Sequence, residues 1–198
     1  HFRPRTARIA AAMDFNRFIT TAAFPELAEF FLAEGMSVCY PRGAEFARQQ
    51  CRNRHCGLVE EGAFRYVRLT DGGVRHVVGY AFAGEFVGDY ISMCNDLPAW
   101  VGIEAMCDSR VLRLDDERLF AFLSADAAHE RLGRMLAERL SAEVYERLLQ
   151  SYVSTPQERY EALLRRCPGI LNLVSLRELA SYLRVRPETL SRIRRRVR

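Results

Sequence analysis

At 198 residues, 49% of them apolar and 27% charged, the chain can hold one large domain or two small ones around a substantial core. No apolar run approaches the roughly 20 residues that cross a bilayer, and no secretory leader is visible, so a soluble cytoplasmic protein without a membrane partner is expected. The formal net charge is only +4, but arginines crowd both ends of the chain, which puts an anionic partner at an end rather than in the middle.

Cys39, Cys51, Cys56, Cys94, Cys107 and Cys167 form no CxxC pair, and at this length they are too sparse for a disulfide scaffold; reduced thiols are expected. His1, His55, His76 and His129 form no HxH or HExxH, so no metal site of the cupin or zincin kind is assigned. Cys51, His55 and Cys56 make the tightest group of soft ligands, either a weak metal or haem site or a loop with incidental thiols. Cys51, His55, His76 and Glu85 give no readable set of nucleophile, base and orienting group, so no catalytic residue is named and no enzyme is expected.

Residues 1–12 read as an N-terminal arm or a remnant of cloning, with Arg3, Arg5 and Arg8 able to touch an anion. Asp14 to Glu34 reads as helix in two pieces broken near Phe24 and Pro25, anchored by Phe18, Leu27, Phe30 and Phe31 and closed by Gly35. From Ser37 the pattern becomes short β-type runs: SVCY, AEFARQ, CGLVE, FRYVRL, VRHVVGYAF, WVGIEAMC and RVLRL. Pro41-Arg42-Gly43, Glu61-Gly62, Asp71-Gly72-Gly73 and Ala83-Gly84 separate them, the chemistry of hairpin turns, and the succession argues for an antiparallel barrel or jelly roll.

Asp115 to Leu123 returns to helix, and after a cap at Ser124 a longer helix runs to about Ser151. Its stripe Leu132, Leu136, Leu140, Val144 and Leu148, widened by Met135, Tyr145, Leu149 and Tyr152, exceeds what one end of a small barrel needs. Part of it is expected to face another chain, the other reading being a helix buried on its own domain. Thr155 with Glu158 is a capping box, with Pro156 at the first helical position, and that helix ends at Cys167-Pro168-Gly169.

Ser175 with Glu178 caps a further helix from Leu176, whose inner face is Leu176, Leu179, Ala180 and Leu183. After a turn at Arg184, Val185 and Arg186, Pro187 opens a last helix with Leu190, Ile193 and Val197 inside. Glu188, Ser191, Arg192 and Arg195 are left on one outward stripe. This is the layout of a helix-turn-helix, whose second helix presents arginine, serine and glutamate to base edges in a major groove. Arg184, Arg194, Arg195, Arg196 and Arg198 are placed for phosphates. On periodicity and charge alone, the same segment can also be an amphipathic hairpin with a solvated basic face.

Barrel, long helix, short helix and helix-turn-helix, with LxELAxYLxVxPETLSRIRR at Leu176 to Arg195 and Gly84-Glu85-Phe86 closing a glycine-punctuated barrel, resemble the Crp/Fnr superfamily of bacterial transcription regulators over nearly the whole chain after Met13. The resemblance implies an α+β fold: an antiparallel β-roll or jelly-roll barrel, a long dimerisation helix and a C-terminal winged-type helix-turn-helix domain. The expected boundaries are an arm at 1–12, a cyclic-nucleotide-binding-like sensor at 13–123, the dimerisation helix at 124–153 and the DNA-binding domain at 154–198. It implies a homodimer on double-stranded DNA, with two reading helices about 34 Å apart on a pseudo-palindrome, and RNA polymerase and a small-molecule effector as further partners. Glu188, Ser191 and Arg192 match the E-x-x-S-R triplet that in the Fnr branch contacts bases, while Pro187 departs from the residue often found before that glutamate.

Nucleotide-binding members have a cassette that begins Gly-Glu-Leu and ends Arg-Ser-Ala. Here Gly84, Glu85 and Phe86 match the start, but Leu97, Pro98, Ala99 and Trp100 stand at the end. Without the arginine clamp a buried phosphate is uncompensated, so an effector other than cyclic AMP is expected, unless Arg65, Arg68 or Arg75 substitutes. Phe82, Phe86, Tyr90 and Trp100 read as barrel core or as an apolar effector pocket. No cofactor is named, since the chain also lacks the N-terminal cysteine group of the iron-sulfur members. The competing reading is a nucleotide-, haem- or metal-responsive module whose helical hairpin binds protein rather than DNA.

Overall fold

The computed structural model describes residues 20–197. They form two compact units, one ending at Ala142 and one running from Glu143 onward. The expectations for residues 1–12 and for a helical piece around Asp14 and Phe18 lie outside the described residues.

In the first unit, Pro25 opens α1 (Pro25–Glu34), which buries Leu27, Ala28 and Phe31. Then come β1 (Met36–Tyr40), β2 (Glu45–Ala47), β3 (His55–Glu61), β4 (Ala63–Leu69), β5 (Arg75–Phe82), β6 (Phe86–Val87), α2 (Tyr90–Cys94), β7 (Gly102–Ala105), β8 (Ser109–Asp115) and α3 (Asp116–Leu123). The strands pair antiparallel in two four-stranded sheets, ordered β1-β8-β3-β6 and β2-β7-β4-β5. The fold is therefore an open roll and not a closed barrel.

Of the turns expected to make hairpins, Asp71–Gly73 does so, joining β4 to β5 from Ala63 opposite Phe82 to Leu69 opposite Arg75. At Gly43, Gly62 and Gly84 the chain instead crosses from one sheet to the other, each glycine having φ between 82° and 90°. Gly62 has a second reason to lack a side chain. A Cβ there would lie 2.1 Å from Ser109 Oγ, which accepts the Ala63 N–H at 3.2 Å.

Two apolar layers result. Between the sheets, the rings of Tyr40, Phe46 and Phe64 meet with centroids 5.5 to 5.7 Å apart. On the other face of β3 and β8, Cys56, Leu58, Leu112 and Leu114 pack against Phe24, Leu27 and Phe31, Leu119 and Leu123, and Leu132 and Leu136. β3 is thus covered on both faces, which explains its nearly unbroken buried run where a half-exposed strand would alternate.

The long helix α4 (Ala127–Val153) passes through the boundary between the units. Its start is capped by Asp126, not Ser124: Asp126 Oδ1 accepts the N–H groups of Ala128 at 2.8 Å and His129 at 3.0 Å. Ser124 instead closes α3, its hydroxyl donating to the Phe120 carbonyl at 2.7 Å.

The second unit adds α5 (Pro156–Arg166), α6 (Ile170–Leu173), α7 (Leu176–Tyr182) and α8 (Pro187–Val197). The Thr155 and Glu158 capping box is formed in both directions. Tyr160, Leu163, Ile170, Leu179, Ala180, Leu183, Leu190 and Ile193 are buried. No strand follows Asp115 among the described residues, so the wing expected beside the helix-turn-helix is not among them.

Candidate nucleic-acid interface and effector cassette

The α7-turn-α8 segment is held by local hydrogen bonds. Ser175 Oγ accepts the Glu178 N–H at 3.1 Å, which starts α7. At its end the Val185 N–H returns to the Ala180 carbonyl at 2.9 Å and the Arg184 N–H to Ser181 at 3.1 Å, the paired bonds of a Schellman motif. The left-handed residue that motif needs is usually glycine; here it is Arg184, at φ 55°. Arg159 of α5, a residue the sequence reading missed, donates to the Leu183 carbonyl at 2.9 Å and to Ser154 at 2.7 Å, tying the end of α7 to α5. No spacing rule announces such a contact, because it bridges two elements.

With Leu190 and Ile193 turned inward, Glu188, Arg192 and Arg195 are exposed on α8 and Ser191 is half-buried. Arg184 and Arg196 are exposed and Arg194 half-buried. The first turn of α8 carries Glu188 and the last turn Arg194, Arg195 and Arg196, a distribution that also suits the helix dipole.

The apolar stripe of α4 divides. Leu132 and Leu136 are buried in the first unit's core, and Leu140 packs against it. Val144 and Leu148 are exposed, with Tyr145, Leu149, Tyr152 and Val153 beside them; Tyr152 is 80% accessible.

The cassette between Gly84 and Trp100 contains β6 and α2, neither of which the sequence reading separated. Asp89 organises it. One oxygen accepts the Ser92 N–H at 3.4 Å and caps α2, and the other accepts the Trp100 N–H at 2.7 Å. Glu85 is buried, and its carboxylate accepts the Phe82 N–H at 3.0 Å across its own turn. Leu97, expected from the sequence to stand where nucleotide-binding members have an arginine, is exposed, as are Pro98 and Trp100.

An apolar cavity of about 50 Å³ lies beside α2, and of Gly84, Glu85, Phe86, Leu97, Pro98 and Trp100 only Phe86 lines it; Tyr90 does too. Phe82 is half-buried and stacks on Tyr80, ring centroids 6.0 Å apart.

The arginines weighed as substitutes for the clamp are engaged elsewhere. Arg65 and Arg75 meet Glu104 at 3.1 and 2.6 Å. Arg65 alternates with Phe64 and Tyr66, which point into the roll, so it lies on the opposite face of its sheet. Burial alone would raise the Glu104 carboxyl, but the Arg75 and Arg65 guanidiniums outweigh it and hold the group below its ordinary range. Arg68 donates to the Trp100 carbonyl.

The soft-ligand group is not brought together. Cys51 is exposed in the loop after β2, whereas Cys56 is buried among the leucines of the helix-facing core. His55 points the other way from Cys56 along β3, edge-on to Phe46 and 2.8 Å from its carbonyl. Burial pushes the Cys56 thiol far up and the His55 imidazole down. Among the described residues, no group of three or more His, Cys, Asp and Glu side chains is arranged to hold a metal ion. His76 is exposed on β5, apart from the turn that holds Glu85. No described helix is long and apolar enough to cross a membrane.

A family model for the cyclic nucleotide-binding domain matches residues 37–126. No curated protein matches the chain. Among solved structures, it is similar to FixK2 from Bradyrhizobium japonicum at 19% identity, covering 82% of this chain and 84% of that one with a TM-score of 0.66. It is similar at 20% identity to CLP, the c-di-GMP responsive global regulator of Xanthomonas campestris, covering 87% and 91% with a TM-score of 0.63. The catabolite activator protein of Thermus thermophilus matches at 24% identity, covering 87% and 83% with a TM-score of 0.53. Residues 37–126 thus match the cyclic nucleotide-binding domain, and the chain has a Crp/Fnr-like fold.

Proposed function

We propose that the protein is a cytoplasmic, homodimeric transcription regulator that reads double-stranded DNA through α8 and answers to an effector other than cyclic AMP. The observation that carries this reading is the stripe of exposed Glu188, Arg192 and Arg195, with half-buried Ser191 among them, on a helix whose other face is buried. Glutamate suits a cytosine amino group, arginine pairs bidentately with guanine, and both lie toward the first half of α8. The cassette supports the second clause, since Leu97 offers a phosphate no cation and the Glu85 carboxylate is committed to the Phe82 N–H. A dimer on a pseudo-palindrome doubles every contact, and RNA polymerase is the partner such a regulator addresses.

The test is selection of bound sequences from random duplexes, followed by titration of the best one. Arg192→Ala is expected to weaken that site by about 1–3 kcal/mol and to flatten its preference at one base pair per half-site. An equal loss on random DNA sinks the base-reading role. Capture of a protein, with no duplex selected at any salt concentration, favours the hairpin as a protein-binding module.

Arg184 provides an independent check, because a side chain is retained where the backbone favours glycine. Arg184→Gly is expected to leave folding stability within about 1 kcal/mol, as relief of the left-handed strain offsets glycine's entropy. The slope of log affinity against log salt should fall by about 0.9 for each phosphate that is no longer neutralised. A salt slope equal to the parent's would mean that Arg184 meets no phosphate.

A further inference from the structure

The cavity beside α2 is built from apolar groups of several elements. Phe31 of α1, Cys56 of β3, Phe86 of β6, Met93 of α2 and Leu140 of α4 all reach it. Its polar atoms are engaged or held neutral. Tyr66 Oη, on its wall, accepts the Gly88 N–H at 3.3 Å, and the Cys56 thiol lies 3.9 Å from the Leu114 carbonyl. Burial holds the Cys56 thiol and the Tyr90 hydroxyl protonated far above neutral pH, so neither contributes a charge. Among its lining residues there is no Lys, Arg, His, Asp or Glu.

A charged ligand entering this space would lose its hydration and meet no counter-charge. A neutral apolar one would give up little hydration and gain dispersion contacts with the lining. The space is about 50 Å³, against the roughly 10–15 Å³ that one water needs by the same measure, which suits a molecule of few heavy atoms. Its position matters as much as its chemistry. Met93, a flexible thioether that can repack, belongs to the cassette helix, while Leu140 lies on α4, which continues without a break to Val153. One small occupant would touch both.

We propose that this cavity, and not the surface at Gly84, Glu85 and Leu97–Trp100, is the effector site, and that it takes a small, uncharged, apolar molecule such as a short hydrocarbon or an apolar gas. As an effector site it rests on the regulator reading above.

Xenon is the probe, applied to the full chain. Crystals held under xenon are expected to show it in this cavity, and the Met93 methyl resonance in solution should shift saturably with xenon pressure. Leu140→Phe, which fills the space, should abolish that shift, and Leu140→Met should keep it. If Leu140→Phe does not fold, the xenon position in the parent crystals decides alone. Xenon absent from the cavity, or a shift that never saturates, overturns the proposal.

DNA affinity is then measured under argon and under xenon. A change of about fivefold or more in the parent, abolished in Leu140→Phe, supports the effector role; an unchanged affinity overturns it. If no duplex binds under either gas while xenon still occupies the cavity, the regulator reading has failed and the effector role with it, but the binding site stands. Cyclic AMP producing the same Met93 shift as xenon would overturn the selection for uncharged ligands.

Discussion

Leu190→Ala is expected to unfold the C-terminal unit and abolish DNA binding while the roll stays folded. Leu190 has no accessible surface, and Leu179, Leu183 and Ile193 are buried with it in the same unit. Emptying such a site costs about 2–5 kcal/mol, from the forfeited transfer energy and from a cavity that cannot fully collapse. A loss of that size is a large fraction of the whole stability of an ordinary domain. Hydrogen exchange followed by mass spectrometry separates the outcomes by region. Amides of α5, α7 and α8 should exchange at rates near those of an unfolded chain, and those of β3, β4 and β8 should keep their protection. Parent-like protection across α7 and α8 would show that Leu190 does not hold the two helices together.

Much of this unit was legible in the sequence because its determinants are local. Thr155 with Glu158 and Ser175 with Glu178 lie within one helical turn, and Pro156 and Pro187 fix the first helical positions. The roll was legible as a set of strands but not as a pairing. A glycine at positive φ marks a change of direction equally well for a hairpin and for a crossing between sheets, and Gly43, Gly62 and Gly84 prove to be crossings.

The cassette was the least legible part. β6 spans only Phe86–Val87 and α2 only Tyr90–Cys94, too short for any periodicity to register. The one signal for α2 was Asp89, an acceptor at the right distance ahead of Ser92. Matching the cassette by its ends drew attention to the absence of an arginine at Leu97. It could not show that the apolar space lies beside Met93 and Leu140, since those residues meet only in three dimensions.

The α4 stripe illustrates a different limit. A period of four says that one face avoids water, without saying what covers it. Coverage changes along this helix. Leu132 and Leu136 belong to the chain's own core, and from Val144 onward the same face is open, with Tyr145, Leu148, Leu149, Tyr152 and Val153 exposed in adjacent rows. Singly exposed apolar residues need no explanation, but a contiguous patch of aromatic and aliphatic side chains marks an association surface.

A second copy of the chain is the occupant proposed for that surface, and Leu148→Glu tests it. Leu148 is 52% accessible in the single chain, so the substitution should leave each protomer folded, with the thermal midpoint falling only by what the lost association contributed. In a two-fold seam every residue counts twice. With each leucine already half covered in the single chain, losing burial of two forfeits about 1.5–3 kcal/mol, half of the 1.5–3 kcal/mol each that full burial contributes, and two glutamates brought together by the axis add repulsion. The lost burial alone raises the dimer dissociation constant by roughly one to two powers of ten, and the repulsion raises it further. Sedimentation at micromolar concentration should therefore give the dimer mass for the parent and the monomer mass for the variant. Affinity for a full pseudo-palindrome should fall toward that for a single half-site, with the base preference within the half-site retained, because α8 is untouched. A variant that still sediments as a dimer would move the interface off this face of α4. A variant that becomes monomeric and still binds the full site at parent affinity would leave the dimer intact as an assembly but remove it from DNA recognition.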